Sequence, residues 1–215
     1  MTGLTRLLAI ALLLGTALLG VGAAFHPMLA GDAAEQLRTI AATPHWHVVH
    51  LTLLAGSALV IAGVWVRIVT DRAASGALVA ALAIITIGVA LNALDIAFMA
   101  GSGTRMAAYF AAGHVEMPNL YDVTHPSVLL AARFGNFIVA VGAVALGLIE
   151  QRDASRPRWL AWLAWLAAAG GFVGVFFFED PSRLVFAAVA LLSAWQVATA
   201  LLSLRGPPAA VSPTR

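Results

Sequence analysis

The chain has 215 residues, of which 61% are hydrophobic and only 10% are charged. A water-soluble domain carries roughly 25% charged residues, so this composition excludes an ordinary soluble protein and indicates a membrane protein. The net charge is only +2 with no basic cluster, which argues against nucleic-acid binding, and the absence of cysteine excludes disulfides, thiolate ligands and thiol catalysis.

Six long apolar runs dominate the chain. A bilayer core about 30 Å thick needs about 20 apolar residues per helix, and lipid-exposed backbone must satisfy its hydrogen bonds internally. The sequence therefore predicts an all-α protein, a polytopic bundle of six transmembrane helices. The predicted spans are residues 7–25, 48–66, 77–100, 126–149, 159–178 and 184–204. We expect residues 1–206 to form one membrane domain and residues 207–215, with three prolines, a short tail.

Arginine placement predicts the orientation of this bundle. Six spans put both termini on one side, and the cytoplasmic flanks of membrane proteins carry the positive excess. Eight arginines fall on the side of the termini and three on the other side. Both termini are therefore expected in the cytoplasm, with the chain in a bacterial inner membrane. The first run also resembles a signal peptide, but its 19 apolar residues are too many, so we expect a retained helix.

The two longer loops on the outer side each predict a short helix. Asp32 and Glu35 have the spacing of a capping box, in which each side chain binds the backbone N–H of the other residue. In the second loop, the residues at helical spacing are Met106, Tyr109, Phe110 and Gly113. Both segments are expected to lie as interfacial helices at the membrane surface.

All six histidines fall at or near the predicted outer boundary of the membrane. They are His26, His45, His47, His50, His114 and His125. At 1.5 Å of rise per residue, His50, Asp95 and Arg133 lie about 8–12 Å inward from the outer ends of three different helices. A charge at the centre of a span costs about 2.5–3.5 kcal/mol, so Asp95 and Arg133 should face the bundle interior. We expect them to form an ion pair, hydrogen-bonded by Asn92 and Asn136.

The histidines predict a cofactor site, because neutral imidazole is a common ligand for zinc, copper and iron. One alternative is a transition-metal ion, Cu, Fe or Zn. Its candidate ligands are His45, His47, His50, His125, Asp95 and Asp122. The other alternative is haem b, with His50 and His125 as axial ligands and Arg133 near a propionate. The spacing favours neither; we expect His47, His50 and His125 to converge, and His26 to lie outside the site.

The first third of the chain resembles small multi-span bacterial membrane proteins of unknown function. The segments that carry the resemblance are His26-Pro27, Gly31-Asp32-Ala33-Ala34 and Pro44-His45-Trp46-His47, which leads into the second span. Together with the six-span layout, the resemblance implies a membrane protein of this kind. It implies no reaction and no catalytic residue.

These patterns together predict a membrane oxidoreductase or electron-transfer protein that exchanges electrons with a quinone, a partner protein or a small substrate. The first alternative is a cofactor-free accessory subunit of a larger membrane complex, or a homo-oligomer, since the chain has no substantial soluble domain. The second is a small-solute or proton carrier that uses Asp95, although the inner half lacks ionisable groups for a path. Sequence motifs for nucleotide hydrolysis, serine hydrolysis and zinc proteolysis are absent.

Overall fold

The computed structural model describes residues 2–70, 75–176 and 183–205, and over these residues it contains helices and no β-strand. In chain order the helices are α1 Gly3–Phe25, α2 Ala33–Ala42, α3 Trp46–Gly63, α4 Val66–Thr70, α5 Gly76–Phe98, α6 Thr104–Ala111, α7 Met117–Arg152, α8 Trp159–Phe176 and α9 Arg183–Arg205. A π-helical turn, Met99–Gly103, joins α5 to α6. The expected all-helical fold is confirmed. The predicted tail and the end of the fifth predicted span lie outside the described residues.

Five helical stretches in this part of the chain are long and apolar enough to cross a membrane. They are Gly3–Phe25, Trp46–Thr70, Gly76–Ala111, Met117–Arg152 and Ala187–Arg205. The fifth run of the sequence falls on α8, whose apolar part, Trp159–Val173, is shorter. The helices therefore have the length and composition of an integral membrane protein.

Helix α7 begins at Met117, whereas the sequence analysis placed the start of this span at residue 126. Pro118 lies in the first turn of α7, where a missing backbone N–H costs nothing, and Pro126 lies inside the helix. The chain stays helical across Pro126, and Tyr121 in the added turns is buried, with 2% of its surface exposed. As a result, His125 lies about 12 Å along α7 rather than at its first residue.

Helices α5 and α7 approach each other closely at a pair of glycines. A Cβ atom added to Gly88 would lie 2.6 Å from the carbonyl oxygen of Gly135, and one added to Gly135 would lie 2.5 Å from that of Gly88. No side chain fits in this space, so glycine is required on both helices. Small residues at the interface are typical of helix pairs in membranes, where close backbone contact replaces the hydrophobic driving force.

Polar side chains inside the bundle pair across helices. Asn92 of α5 donates to the Oδ1 of Asn136 of α7 over 2.6 Å. Thr16 of α1 donates to the Oε1 of Gln196 of α9 over 2.9 Å. Each pair satisfies polar atoms that lipid could not satisfy. The two asparagines therefore bond to each other, whereas the sequence analysis expected them to bond to Asp95 and Arg133.

The two short helices α2 and α6 form a roof over the end of the bundle where α3 begins and α5 ends. The expected capping box starts α2: the backbone N–H of Glu35 donates to the Oδ1 of Asp32 over 2.8 Å, and the backbone N–H of Asp32 donates to Glu35 over 3.1 Å. The apolar residues buried beneath the roof are Leu37, Ile40, Trp46, Met99, Ala107 and Tyr121. The Tyr121 hydroxyl donates to Gln36 of α2 over 3.2 Å and ties the roof to α7.

Candidate functional site

Four ionisable residues from four different helices gather beneath this roof, at what we call the histidine end of the bundle. They are His26 directly after α1, His50 in α3, Asp95 in α5 and His125 in α7. Helices α1 and α5 end here while α3 and α7 begin here, so their termini meet. Three of the four residues were expected in the site from the sequence, and His26 was not.

The imidazole rings of His26 and His50 face each other. Their Nε2 atoms are 3.1 Å apart and the ring centroids are 4.8 Å apart. His50 is fully buried, with 1% of its surface exposed, and His26 is half-buried. Sequence reasoning placed His26 outside the site. The contact depends on how closely the end of α1 approaches the antiparallel α3, which is a tertiary property.

A backbone hydrogen bond fixes the proton of His50. Its Nδ1 lies 2.8 Å from the carbonyl oxygen of Trp46, and a carbonyl oxygen only accepts, so Nδ1 donates. The neutral ring therefore carries a lone pair on Nε2, directed at His26. The indole of Trp46 packs against the ring of His50 with centroids 4.3 Å apart and holds it in this orientation.

His26 is kept neutral by its surroundings. Burial lowers the pKa of His26 below its usual value, and the backbone carbonyl of Pro27 and the charge of Asp95 oppose this effect only in part. The ring is therefore uncharged at pH 7, which is the form of imidazole that binds metal ions. Because the Nε2 of His50 is an acceptor, the Nε2–H of His26 is the donor of the pair.

Asp95 and His125 form the second pair at the histidine end. The Nε2 of His125 lies 3.4 Å from the Oδ1 of Asp95, within ion-pair distance but without the geometry of a hydrogen bond. The Oδ1 is buried, and it has no hydrogen-bond partner among the residues that the structure describes. The ring of His125 stacks on Tyr121 at 4.6 Å and on Phe98 at 5.8 Å, so its position is fixed by aromatic contacts.

Asp95 is electrostatically central to this end of the bundle. Its negative charge acts on His26 and His50 as well as on Arg133 of α7. The ion-pair contact of Asp95 is with His125, so a direct Asp95–Arg133 pair stays a prediction. The carboxylate of Asp95 therefore acts through its charge on His26 and His50 and lies in contact with His125. The three histidines come from three other parts of the chain.

The other predicted ligands point elsewhere. His47 donates through Nδ1 to the carbonyl oxygen of Ala100 over 2.8 Å and is exposed. His45 and Asp122 are also exposed. Within the described ranges no three His, Asp or Glu side chains are arranged to hold a metal ion, so the expected convergence of His47, His50 and His125 is not formed.

A second group of charges lies at the opposite end of the bundle, which we call the arginine end. Glu150 of α7 is fully buried and accepts from Arg156 over 2.6 Å and from Arg67 over 3.3 Å. Arg67 also donates to Asp153 over 2.6 Å, and Arg156 donates to the hydroxyl of Thr199 in α9 over 3.0 Å. This network links α4, α7, α9 and the loop after α7.

The sequence analysis missed this network because it counted arginines only as markers of orientation. The available signal was Glu150, a carboxylate that directly follows an apolar run on the arginine-rich side. Burial raises the pKa of Asp153, but hydrogen bonds from Ser155 and the charge of Arg67 outweigh it and hold that pKa below its usual value. The carboxylate of Asp153 is therefore ionised and paired at neutral pH.

Comparison with known proteins identifies no relative of this chain. The chain matches no protein-family model, no curated protein and no solved structure. Its function is therefore argued from the geometry of its own residues.

Proposed function

We propose that this chain is an integral membrane protein of six spans that binds a transition-metal ion at the histidine end. Helix α8 supplies the sixth span, and the even number puts both termini on the cytoplasmic side of a bacterial inner membrane, as the arginine distribution favours. Helices α2 and α6 then lie at the outer interface, where their apolar residues cover the site.

The buried Oδ1 of Asp95, which has no hydrogen bond among the described residues, is the observation that supports a bound cation. A buried polar atom without a hydrogen bond costs free energy, and a carboxylate oxygen costs more than a neutral one. His125 lies 3.4 Å away but does not make a hydrogen bond to it. A metal ion bound near this oxygen would satisfy it and would be charge-compensated by it. The Asp95 carboxylate and the neighbouring imidazoles match the donor set that Cu, Fe and Zn accept.

The packing of the imidazoles favours an ion over haem b. Haem ligation by His50 and His125 requires the two rings to approach a porphyrin from opposite faces. The ring of His125 is stacked on two aromatic rings, and the ring of His50 is in contact with those of Trp46 and His26. A porphyrin would have to displace these side chains. An ion needs only small movements of the ligand atoms.

The chemistry of such a site depends on the ion: Cu or Fe would support electron transfer to a quinone or a partner protein, and Zn would act as a Lewis acid. The residues of the chain would orient the ligands and restrict water. Trp46 and Tyr121 close the site from the roof side, and both are nearly fully buried. This arrangement gives a shielded centre close to one membrane surface.

The direct test is elemental analysis and an optical spectrum of the full-length protein purified in mild detergent. We expect about one Cu, Fe or Zn per chain and no Soret band. Asp95→Asn and His125→Ala should each reduce the bound metal, because they remove the carboxylate or its neighbouring imidazole. His114→Ala is the matched control, since His114 is exposed and its charged contact is the exposed Glu116.

Two outcomes would overturn the proposal. A Soret band that His50→Ala removes would establish haem b in place of an ion. Protein without metal or haem, even from cells supplied with all three metals, would establish the cofactor-free accessory subunit. That second candidate is favoured by one observation: the described residues do not form a preassembled group of three ligands.

A further inference from the structure

We infer that His26 and His50 are the two nitrogen ligands of the metal ion and bind it side by side through their Nε2 atoms. The inference rests on the proposed function and adds to it a ligand, His26, that sequence reasoning placed outside the site. It also specifies a small ion with adjacent imidazole ligands.

The distance between the two nitrogen atoms carries this inference. Metal–nitrogen bonds of about 2.0–2.1 Å put two ligands of a tetrahedral ion about 3.3–3.4 Å apart, and two ligands on opposite sides of an ion about 4.0–4.2 Å apart. The Nε2 atoms of His26 and His50 are 3.1 Å apart. They therefore need to separate by a few tenths of an ångström to bind an ion as neighbours, and by about 1 Å to bind it from opposite sides.

The protons are placed to allow this binding. The Nδ1–H of His50 donates to the carbonyl of Trp46, which is the outer hydrogen bond that metal-binding histidines usually make. The His26 ring lies beside the carbonyl of Pro27, which favours a proton on the ring. When an ion binds, the proton on Nε2 of His26 moves to Nδ1. Both rings stay neutral, and no proton is released overall.

The charge of the ion is compensated locally. Two neutral imidazoles leave a divalent ion with its full charge of +2, which is costly in a membrane interior. Asp95 supplies one negative charge, and that charge acts on both His26 and His50. Because the described residues hold no preassembled group of three ligands, Asp95 would become the third ligand only after its carboxylate turns from His125 toward the pair. Solvent or substrate would occupy the fourth position.

A groove between α1 and α3 lies close to the pair, although neither His26 nor His50 lines it. An open, mainly apolar groove of about 370 Å³ is lined by Phe25 and Val49, the chain neighbours of His26 and His50, and by the exposed His45. His45 provides an imidazole at this groove that could transfer an ion from solvent. It is therefore expected to affect the rate of metal uptake more than the affinity.

Cobalt(II) binding to the chelator-treated, full-length protein tests the inference. Tetrahedral Co²⁺ gives strong visible absorption, and Zn²⁺ should remove it by competition. We expect His26→Ala and His50→Gln to weaken Co²⁺ binding at least tenfold, while His47→Ala, an exposed histidine in the first turn of α3, should leave it unchanged. His26→Ala is the primary variant, because His26 lies at a helix end and its loss leaves the buried core intact.

X-ray absorption of the Zn-loaded wild type provides a readout that does not depend on a variant folding, and two imidazole ligands are expected there. In the folded His26→Ala protein one imidazole ligand is expected. Co²⁺ binding that needs Asp95 and His125 but tolerates His26→Ala would overturn the inference and leave the proposed function standing. If the wild type binds none of Co²⁺, Zn²⁺, Cu and Fe, both the inference and the proposed function fail.

Discussion

The two ends of the bundle differ in whether a buried carboxylate oxygen accepts a hydrogen bond. At the arginine end, both oxygens of Glu150 are paired, with Arg67 at 3.3 Å and Arg156 at 2.6 Å. At the histidine end, the Oδ1 of Asp95 has no hydrogen bond among the described residues, and its ion-pair contact is a histidine at 3.4 Å. Both carboxylates lie on long apolar helices, but the side chain of Glu150 is fully buried, whereas that of Asp95 is 23% exposed with only its Oδ1 buried.

This contrast separates a structural role from a binding role. A buried ionic network stabilises a fold only when each member is satisfied, and the arginine end, with two arginines and two carboxylates, meets this condition. The histidine end keeps lone pairs and a carboxylate oxygen available beneath a closed roof. Unsatisfied polar atoms in a well-packed structure are where a ligand is expected.

Glu150→Gln should have the largest effect on stability. The change leaves two buried guanidinium groups facing a neutral side chain, and breaking a buried pair in this way costs on the order of 3–5 kcal/mol. We expect a large fall in the unfolding midpoint of the detergent-solubilised protein, measured by heat or by added denaturing detergent. Glu116→Gln, which removes the same charge from an exposed position, should change it little.

A double substitution sharpens this test. If the arginine end acts as one network, Glu150→Gln combined with Arg156→Gln should cost clearly less than the sum of the two single changes. Additive costs would show that the residues contribute independently and that the arginine end is not one coupled structural network.

Tyr121→Phe should have a moderate effect, confined to the histidine end. The change deletes the hydrogen bond from the Tyr121 hydroxyl to Gln36, which joins the roof to α7, and such a bond contributes about 1 kcal/mol. We expect faster amide hydrogen exchange in α2 and unchanged exchange at the arginine end. Tyr109→Phe, at a half-exposed position, is the control. Faster exchange at both ends would contradict a separately attached roof.

The helices and their polar contacts were predictable to different degrees. Hydropathy identified the apolar runs because lipid requires long, internally hydrogen-bonded helices, and the spacing of Asp32 and Glu35 identified the start of α2. The continuation of α7 through Pro126 was not predictable, because the packing of Tyr121 outweighs the local preference of proline.

The sequence predicted how deep in the membrane the site residues lie, but it did not predict which side chains are in contact. Helical rise placed His50 and Asp95 at one level, and both lie at the histidine end. Which side chains meet depends on the rotation and approach of whole helices, so the His26–His50 contact was missed. The same limit concealed the pairing of Glu150 with Arg67, 83 positions apart in the chain.

Acid should weaken the arginine end through Asp153, with a smaller effect than the loss of Glu150. The folded-state pKa of Asp153 lies below its usual value of 3.8, so its stabilising contribution is complete above that value and is lost as the pH falls through the folded-state pKa. Because the group is partly exposed, we expect about 1 kcal/mol or less. Asp153→Asn should flatten the acid limb of the stability profile, and the exposed Asp122→Asn should leave that limb unchanged.

Asp95→Asn should have the smallest effect on stability and is the sharpest contrast with Glu150→Gln. The amide keeps the size of the side chain, and replacing a charged oxygen that has no hydrogen bond among the described residues removes a desolvation cost. That gain offsets the loss of the long contact with His125 and of the attraction to Arg133. The free energy of unfolding of the metal-free protein should therefore stay within about 0.5 kcal/mol of the wild-type value or rise. Added Zn²⁺ should raise the midpoint of the wild type by mass action and should raise that of Asp95→Asn much less. A loss of stability as large as that of Glu150→Gln in the metal-free protein would show that Asp95 is a structural anchor, and the two ends would then be alike.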